Sequence, residues 1–109
     1  MKGTHLGELE EMILLIVAAL YDEAYGVAVQ EAVKQRCNRS ITISTVHNVL
    51  HRLAEKGFLV SHYAEATKAR GGRRKLLFRV TKEGQQALLA LKEIRTNLWN
   101  SIPKPAFDA

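Results

Sequence analysis

In the first part of the chain, Leu9, Met12, Ile13, Ile16, Val17 and Leu20 recur at helical spacing and predict a helix over about residues 6–22. Leu14, Leu15, Ala18 and Ala19 fill most other positions of its second half, making it apolar nearly all round. In so small a domain such a helix has to be covered on both sides, either by a second subunit or by the tail or last helix folding back. After a Tyr25-Gly26 turn, Val27, Val29, Ala32 and Val33 predict a second helix over about residues 26–36. Asn38, Arg39 and Ser40 break that pattern, and Ile41-Thr42-Ile43 reads as a short strand-like step. Ser44 is then the expected cap of a third helix that runs to about Lys56 and is stopped by Gly57. Val46, Val49, Leu50 and Leu53 fall on one face of this helix, and Ser44, His47, Asn48, His51, Arg52 and Glu55 on the other.

Residues 58–64 and 76–80 are β-rich and flank a basic stretch containing Gly71-Gly72, which predicts a hairpin with a long basic tip. Thr81 caps a fourth helix, in which Ala87, Leu91, Ile94 and Leu98 step by four, three and four residues in a short heptad-like seam. Leu88, Leu89, Trp99 and Ile102 broaden the stripe, and Pro103 and Pro105 mark a short tail. The expected class is mainly α with a β-hairpin wing, a winged helix-turn-helix followed by one long helix.

Composition narrows the classes of function. A length of 109 residues fits one domain, and 47% hydrophobic with 25% charged residues excludes a disordered or fibrous chain. The single cysteine, Cys37, excludes an internal disulfide framework and a cage of several thiolates, and it fits a reducing compartment. The longest unbroken apolar run, residues 12–20, is half of the roughly 20 residues a bilayer span requires. Glu8, Glu10 and Glu11 stand where a secretion signal would be basic, so a cytoplasmic protein without a membrane partner is expected. The net charge of +5 hides its distribution: residues 1–31 carry −5, residues 32–82 carry +10, and residues 83–109 balance. A basic middle of this kind is an electrostatic footprint for a polyanion.

The polar face of the third helix suits a major groove, where short hydroxyls, amides and arginine reach base edges. Ser44, Thr45, His47, Asn48, His51 and Arg52 are the candidate base-reading residues. The tip that follows has no core to fill, and its clustered cations repel one another unless an anion lies nearby. Lys68, Arg70, Arg73, Arg74 and Lys75 are therefore the candidate phosphate-gripping residues of a wing. Other chemistries are weaker. His47 and His51 are spaced to share a metal but lack an intervening glutamate, and a third ligand would have to come from Cys37 or His62. Cys37, with Arg36 and Arg39 beside it, could serve as a redox-sensing thiol. No nucleophile-base-orienter set and no phosphate-cradling Gly loop is present, so neither enzyme activity nor a cofactor is expected, nor a bound metal. A basic module that binds an acidic protein is the alternative to DNA binding.

From about residue 6 to residue 102 the sequence resembles the PadR-family transcriptional regulators. The resemblance rests on Ala24-Tyr25-Gly26-Val27, on the run from Ser44-Thr45-Val46-His47-Asn48 through Gly57-Phe58-Leu59, and on Gly71-Gly72-Arg73-Arg74-Lys75 followed by Phe78-Arg79-Val80-Thr81-Lys82-Glu83-Gly84. The family usually has Tyr where this chain has His47, and aromatic residues near Leu76 and Leu77. A chain this short resembles the subgroup with a single C-terminal dimerisation helix. The resemblance implies a DNA-binding domain over residues 1–80, a dimerisation helix over 81–102 and a tail over 103–109. It further implies a homodimeric repressor on a palindromic operator, released by a small molecule or a stress signal. Leu14, Leu15, Ala18, Leu91, Ile94 and Leu98 are the expected dimer interface. Trp99, Leu98 and Ile102 would border a cavity at the dimer centre, suited to a flat aromatic or cationic effector.

Overall fold

In the computed structural model, which describes residues 5–64 and 74–108, the chain is helical apart from one two-stranded hairpin. The Glu10 carboxylate reaches back to accept the free N–H of Gly7 (2.8 Å) and so fixes the start of α1, Glu8–Leu20. This helix is shorter than its apolar pattern predicts, because Tyr21, at φ 50°, leads into a separate 3-10 turn, Tyr21–Glu23. Helix α2, Gly26–Cys37, ends at Asn38 in the left-handed conformation that asparagine tolerates.

The Ile41-Thr42-Ile43 step is no strand. Thr42, not Ser44, caps α3, Ile43–Glu55, with its hydroxyl accepting the Thr45 N–H at 3.1 Å. The cap falls there because Ile43 continues the buried face of Val46, Val49, Leu50 and Leu53, and Ile41 is tied down by Gln30, whose amide donates to its carbonyl (3.0 Å). At the other end the Gly57 N–H donates to Ala54 and the Phe58 N–H to Leu53, both at 3.0 Å. That pair of bonds needs a left-handed residue between them, and Gly57 supplies it at φ +82°.

Strands β1, Leu59–Tyr63, and β2, Leu76–Val80, pair antiparallel from Leu59↔Val80 to Tyr63↔Leu76. Phe78 donates from its backbone to Ala24 (2.9 Å), which ties the hairpin to the turn before α2. Thr81 then caps α4, Lys82–Asn100, and a 3-10 turn, Lys104–Phe107, follows. The core lies where α1, α2 and α3 meet the hairpin, around Ile13, Leu14, Val17, Val29, Val33, Val46, Leu50, Leu53 and Phe78. Only the near half of α4 packs on it, through Ala87, Leu88 and Leu91, and Arg95 pairs with Glu11 of α1 at 2.7 Å. The far half projects. Accordingly the molecule measures 60 × 31 × 20 Å with a radius of gyration of 16.5 Å, against about 13 Å for a compact chain of this size.

Lys56, just past α3, closes the frame by pairing with the buried Glu10 at 2.8 Å and donating to the His5 carbonyl at 2.7 Å. Burial pushes the Glu10 carboxyl up, but the bonds from Lys56 and Gly7 and the charges of Lys56 and Arg52 outweigh it, so its pKa lies below the ordinary value. A carboxylate depressed on folding contributes stability above its unfolded pKa, near 4.3, and loses that contribution as pH falls through the folded value. Glu10→Gln is therefore expected to cost about 1 kcal/mol at pH 7 and to flatten the acid limb of stability against pH. Urea titrations between pH 3 and pH 7 check this, and an unchanged acid limb counts against the role of the pair.

Candidate nucleic-acid interface

The two faces of α3 are fully segregated. Val46, Val49, Leu50 and Leu53 are buried, whereas Ser44, His47, Asn48, His51 and Arg52 are exposed. Among the candidate reading residues Thr45 differs: it is half-buried, and its hydroxyl shares a 2.9 Å hydrogen bond with that of Thr42. The cap thus uses Thr45 as part of the helix start, which leaves five side chains free on the outer face. Glu55 stands exposed at the end of the same helix.

The hairpin leaves the core directly beside this helix. Its outermost described bond runs from the Ala64 N–H to the Lys75 carbonyl (2.8 Å). Lys68, Arg70 and Arg73, three of the five expected wing cations, lie outside the described residues. Arg74 is exposed just ahead of β2. Lys75 is turned back, with its ammonium 3.8 Å above the centre of the Tyr25 ring, so the structure gives it an anchoring contact inside the chain. Arg79 of β2 is likewise engaged, bonded to Asp22 and lying over the Tyr21 ring at 5.2 Å; the Asp22 bond holds its pKa above the ordinary value. Neither aromatic contact was visible in the sequence. The Tyr25-Gly26 motif was the only hint of the first.

Of the expected interface residues, Leu14 is wholly buried in the core of its own chain and has no surface to offer a partner. Leu91 is half-buried against the same core. Leu15 is 50% exposed, and Ile94 and Leu98 are 55% and 63% exposed, with Ala18 and Ala19 also open to solvent. One side of α1 is therefore covered within the chain, and Leu15, Ala18 and Ala19 are left open to solvent. Leu98, Trp99 and Ile102 come together with Arg95 and Thr96 around an open groove of about 740 Å³, and Phe107 of the tail approaches the Trp99 ring at 6.1 Å. Among the described residues no three His, Cys, Asp or Glu side chains gather as a metal site, and no helix is long and apolar enough to cross a membrane.

Comparison with solved structures places this geometry among known proteins. The chain is similar to a PadR-like transcription factor from Bacteroides fragilis, at 22% identity and a TM-score of 0.71, over 85% of this chain and 84% of that one. It is similar to a PadR family transcription regulator from Clostridium difficile R20291, at 28% identity and 0.62, over 86% and 88%. It is also similar to Bacillus subtilis PadR, crystallised with operator DNA, at 21% identity and 0.63; there it covers 76% of this chain but only 46% of the longer one. No curated protein matches. Residues 13–90 match the transcriptional regulator PadR-like family, from the middle of α1 through the winged helix into α4, and the chain belongs to that family.

Proposed function

We propose that the protein is a homodimeric DNA-binding repressor that reads a palindromic operator with the outer face of α3 and holds phosphates with the wing. The observation that carries this reading is the segregated α3, with Ser44, His47, Asn48, His51 and Arg52 exposed on its outer face, followed at once by a hairpin whose two strands are joined by a segment rich in Lys and Arg in the sequence. The similar Bacillus subtilis protein was crystallised on operator DNA, which supports the same use of the fold here. In this scheme residues 1–80 form the DNA-binding part, α4 joins two copies, and residues 103–109 are a tail. A small aromatic or cationic effector would lodge in the groove of Leu98, Trp99 and Ile102 once a second copy closes it, and release the operator.

A mobility shift with DNA upstream of the protein's own gene tests the reading. Phosphate contacts give affinity with little sequence dependence and a salt slope of about −0.9 per neutralised phosphate. Replacing Arg73 and Arg74 by Ala is expected to weaken specific and non-specific DNA alike and to flatten that slope by up to about two. Asn48→Ala or Arg52→Ala is expected to reduce discrimination instead, by about 1 to 3 kcal/mol per bidentate contact. Full affinity of the wing double variant at every salt concentration would remove the wing from the interface.

A further inference from the structure

Gly26 opens α2 directly beneath the recognition face of α3, and the space above its Cα is taken by His47. A Cβ at position 26 would stand 2.8 Å from His47 Cε1 and 3.2 Å from Nε2, closer than carbon atoms approach without displacement. The two groups cannot both stay in place, so the question is which one yields.

The backbone at this joint is held from three directions. Tyr25 donates to the Glu23 carbonyl at 3.1 Å and accepts from the Val29 N–H at 2.9 Å, while Ala24 accepts from Phe78 of the hairpin at 2.9 Å. The Tyr25 ring is pressed by the Lys75 ammonium from the wing side. Gly26 itself is buried. His47, by contrast, is exposed and ends in a ring that can swing to another rotamer. The imidazole therefore gives way and the fold does not.

We propose that Gly26 is a positioning residue for operator recognition: by carrying no side chain it lets the His47 imidazole lie back on the start of α2, and that placement sets which base pair the first turns of α3 accept. The inference rests on the proposed reading of DNA by α3. It extends that reading to a residue on a different helix, one that touches no DNA. It also gives the Ala24-Tyr25-Gly26-Val27 segment a task beyond turning the chain, since the joint that seats His47 is the same one that anchors the wing through Lys75.

The test is a cycle of Gly26→Ala, His47→Ala and the double variant, each used to select duplexes from a random-sequence library and then titrated against the wild-type consensus. Gly26→Ala is expected to melt no lower than wild type, because alanine suits a helix at least as well as glycine. It is expected to bind the wild-type consensus about tenfold more weakly, the size of one lost base contact, with an unchanged salt slope. Its own selected consensus should differ at one base pair per half-site. In the His47→Ala background the same glycine substitution should change affinity less than about twofold, the mark of an effect that passes through the imidazole. Equal weakening in both backgrounds, or none in either, would overturn the proposal. The His47 ring resonances of the DNA-free protein give an independent reading: Gly26→Ala should shift them, and unmoved resonances would overturn the steric contact. Should the wild type select no sequence at all, the reading of DNA by α3 fails, while the resonance measurement still decides whether Gly26 seats His47.

Discussion

Gly84→Ala is expected to lower the stability of the protein by about 3 kcal/mol, although alanine is intrinsically the better helix former by about 1 kcal/mol. Gly84 lies in the first turn of α4, buried against the turn between α3 and β1, and a Cβ there would overlap the Phe58 carbonyl oxygen and stand 2.8 Å from Val80 Cγ1. The Val80 methyl can turn aside, but the carbonyl cannot. It accepts the Thr81 N–H at 3.0 Å, and the neighbouring Gly57 carbonyl accepts the Thr81 hydroxyl at 2.6 Å, so moving it breaks the join between α3, the hairpin and the α4 cap together. For a domain of this size the predicted loss lowers the melting temperature by more than about 10 °C. Urea or thermal unfolding checks it, and a Gly84→Ala protein as stable as wild type would show that the two helices are not locked at this point. The same contact explains why glycine follows Thr81-Lys82-Glu83 in the segment that resembles the family. The helix must start within touching distance of another backbone.

How much of this was legible in the sequence depends on whether the determinant is local. Hydrophobic period and cap chemistry placed four helices and the hairpin, and β2 and the Thr81 cap fall where the pattern puts them. The α3 start did not, because Thr42 and Ser44 are both good caps and Ile43 fits a strand alternation as well as a helix face. Only the packing of Ile43 beside Val46 decides between them. Leu14 failed as an interface residue for a related reason. A helix apolar on all sides states that it must be covered, but not which side its own chain covers. Lys75 looked like its neighbours in a basic run, and what sets it apart is a tyrosine 50 residues earlier that the hairpin brings beneath it. The Glu10 and Lys56 pair, 46 residues apart, is invisible for the same reason. The outer face of α3 was legible nearly whole, since one helix supplies all of it.

The packing of Leu14 and Leu91 within the single chain changes how the proposed dimerisation is best tested. Removing Leu91 would damage the single chain as well as any dimer, because its side chain already packs against the core. Ile94 and Leu98 carry no such burden. Both stand more than half exposed on the projecting half of α4, and an apolar stripe of that kind marks a surface meant to be covered. Ile94→Ala with Leu98→Ala, present on both copies of a two-fold dimer, removes four large groups worth about 1.5 kcal/mol or more each. The summed loss of about 6 kcal/mol corresponds to about four decades in the dimer dissociation constant, while the melting of the isolated fold should hardly change. Sedimentation at micromolar concentration is expected to show a wild-type dimer and a monomeric double variant. On DNA, a dimer bridges half-sites roughly 34 to 36 Å apart, and a monomer grips only one of them. The variant should therefore lose operator affinity by orders of magnitude although its α3 is untouched. A wild-type monomer at that concentration, still tight on one half-site, would leave the apolar stripe of α4 without the partner proposed for it.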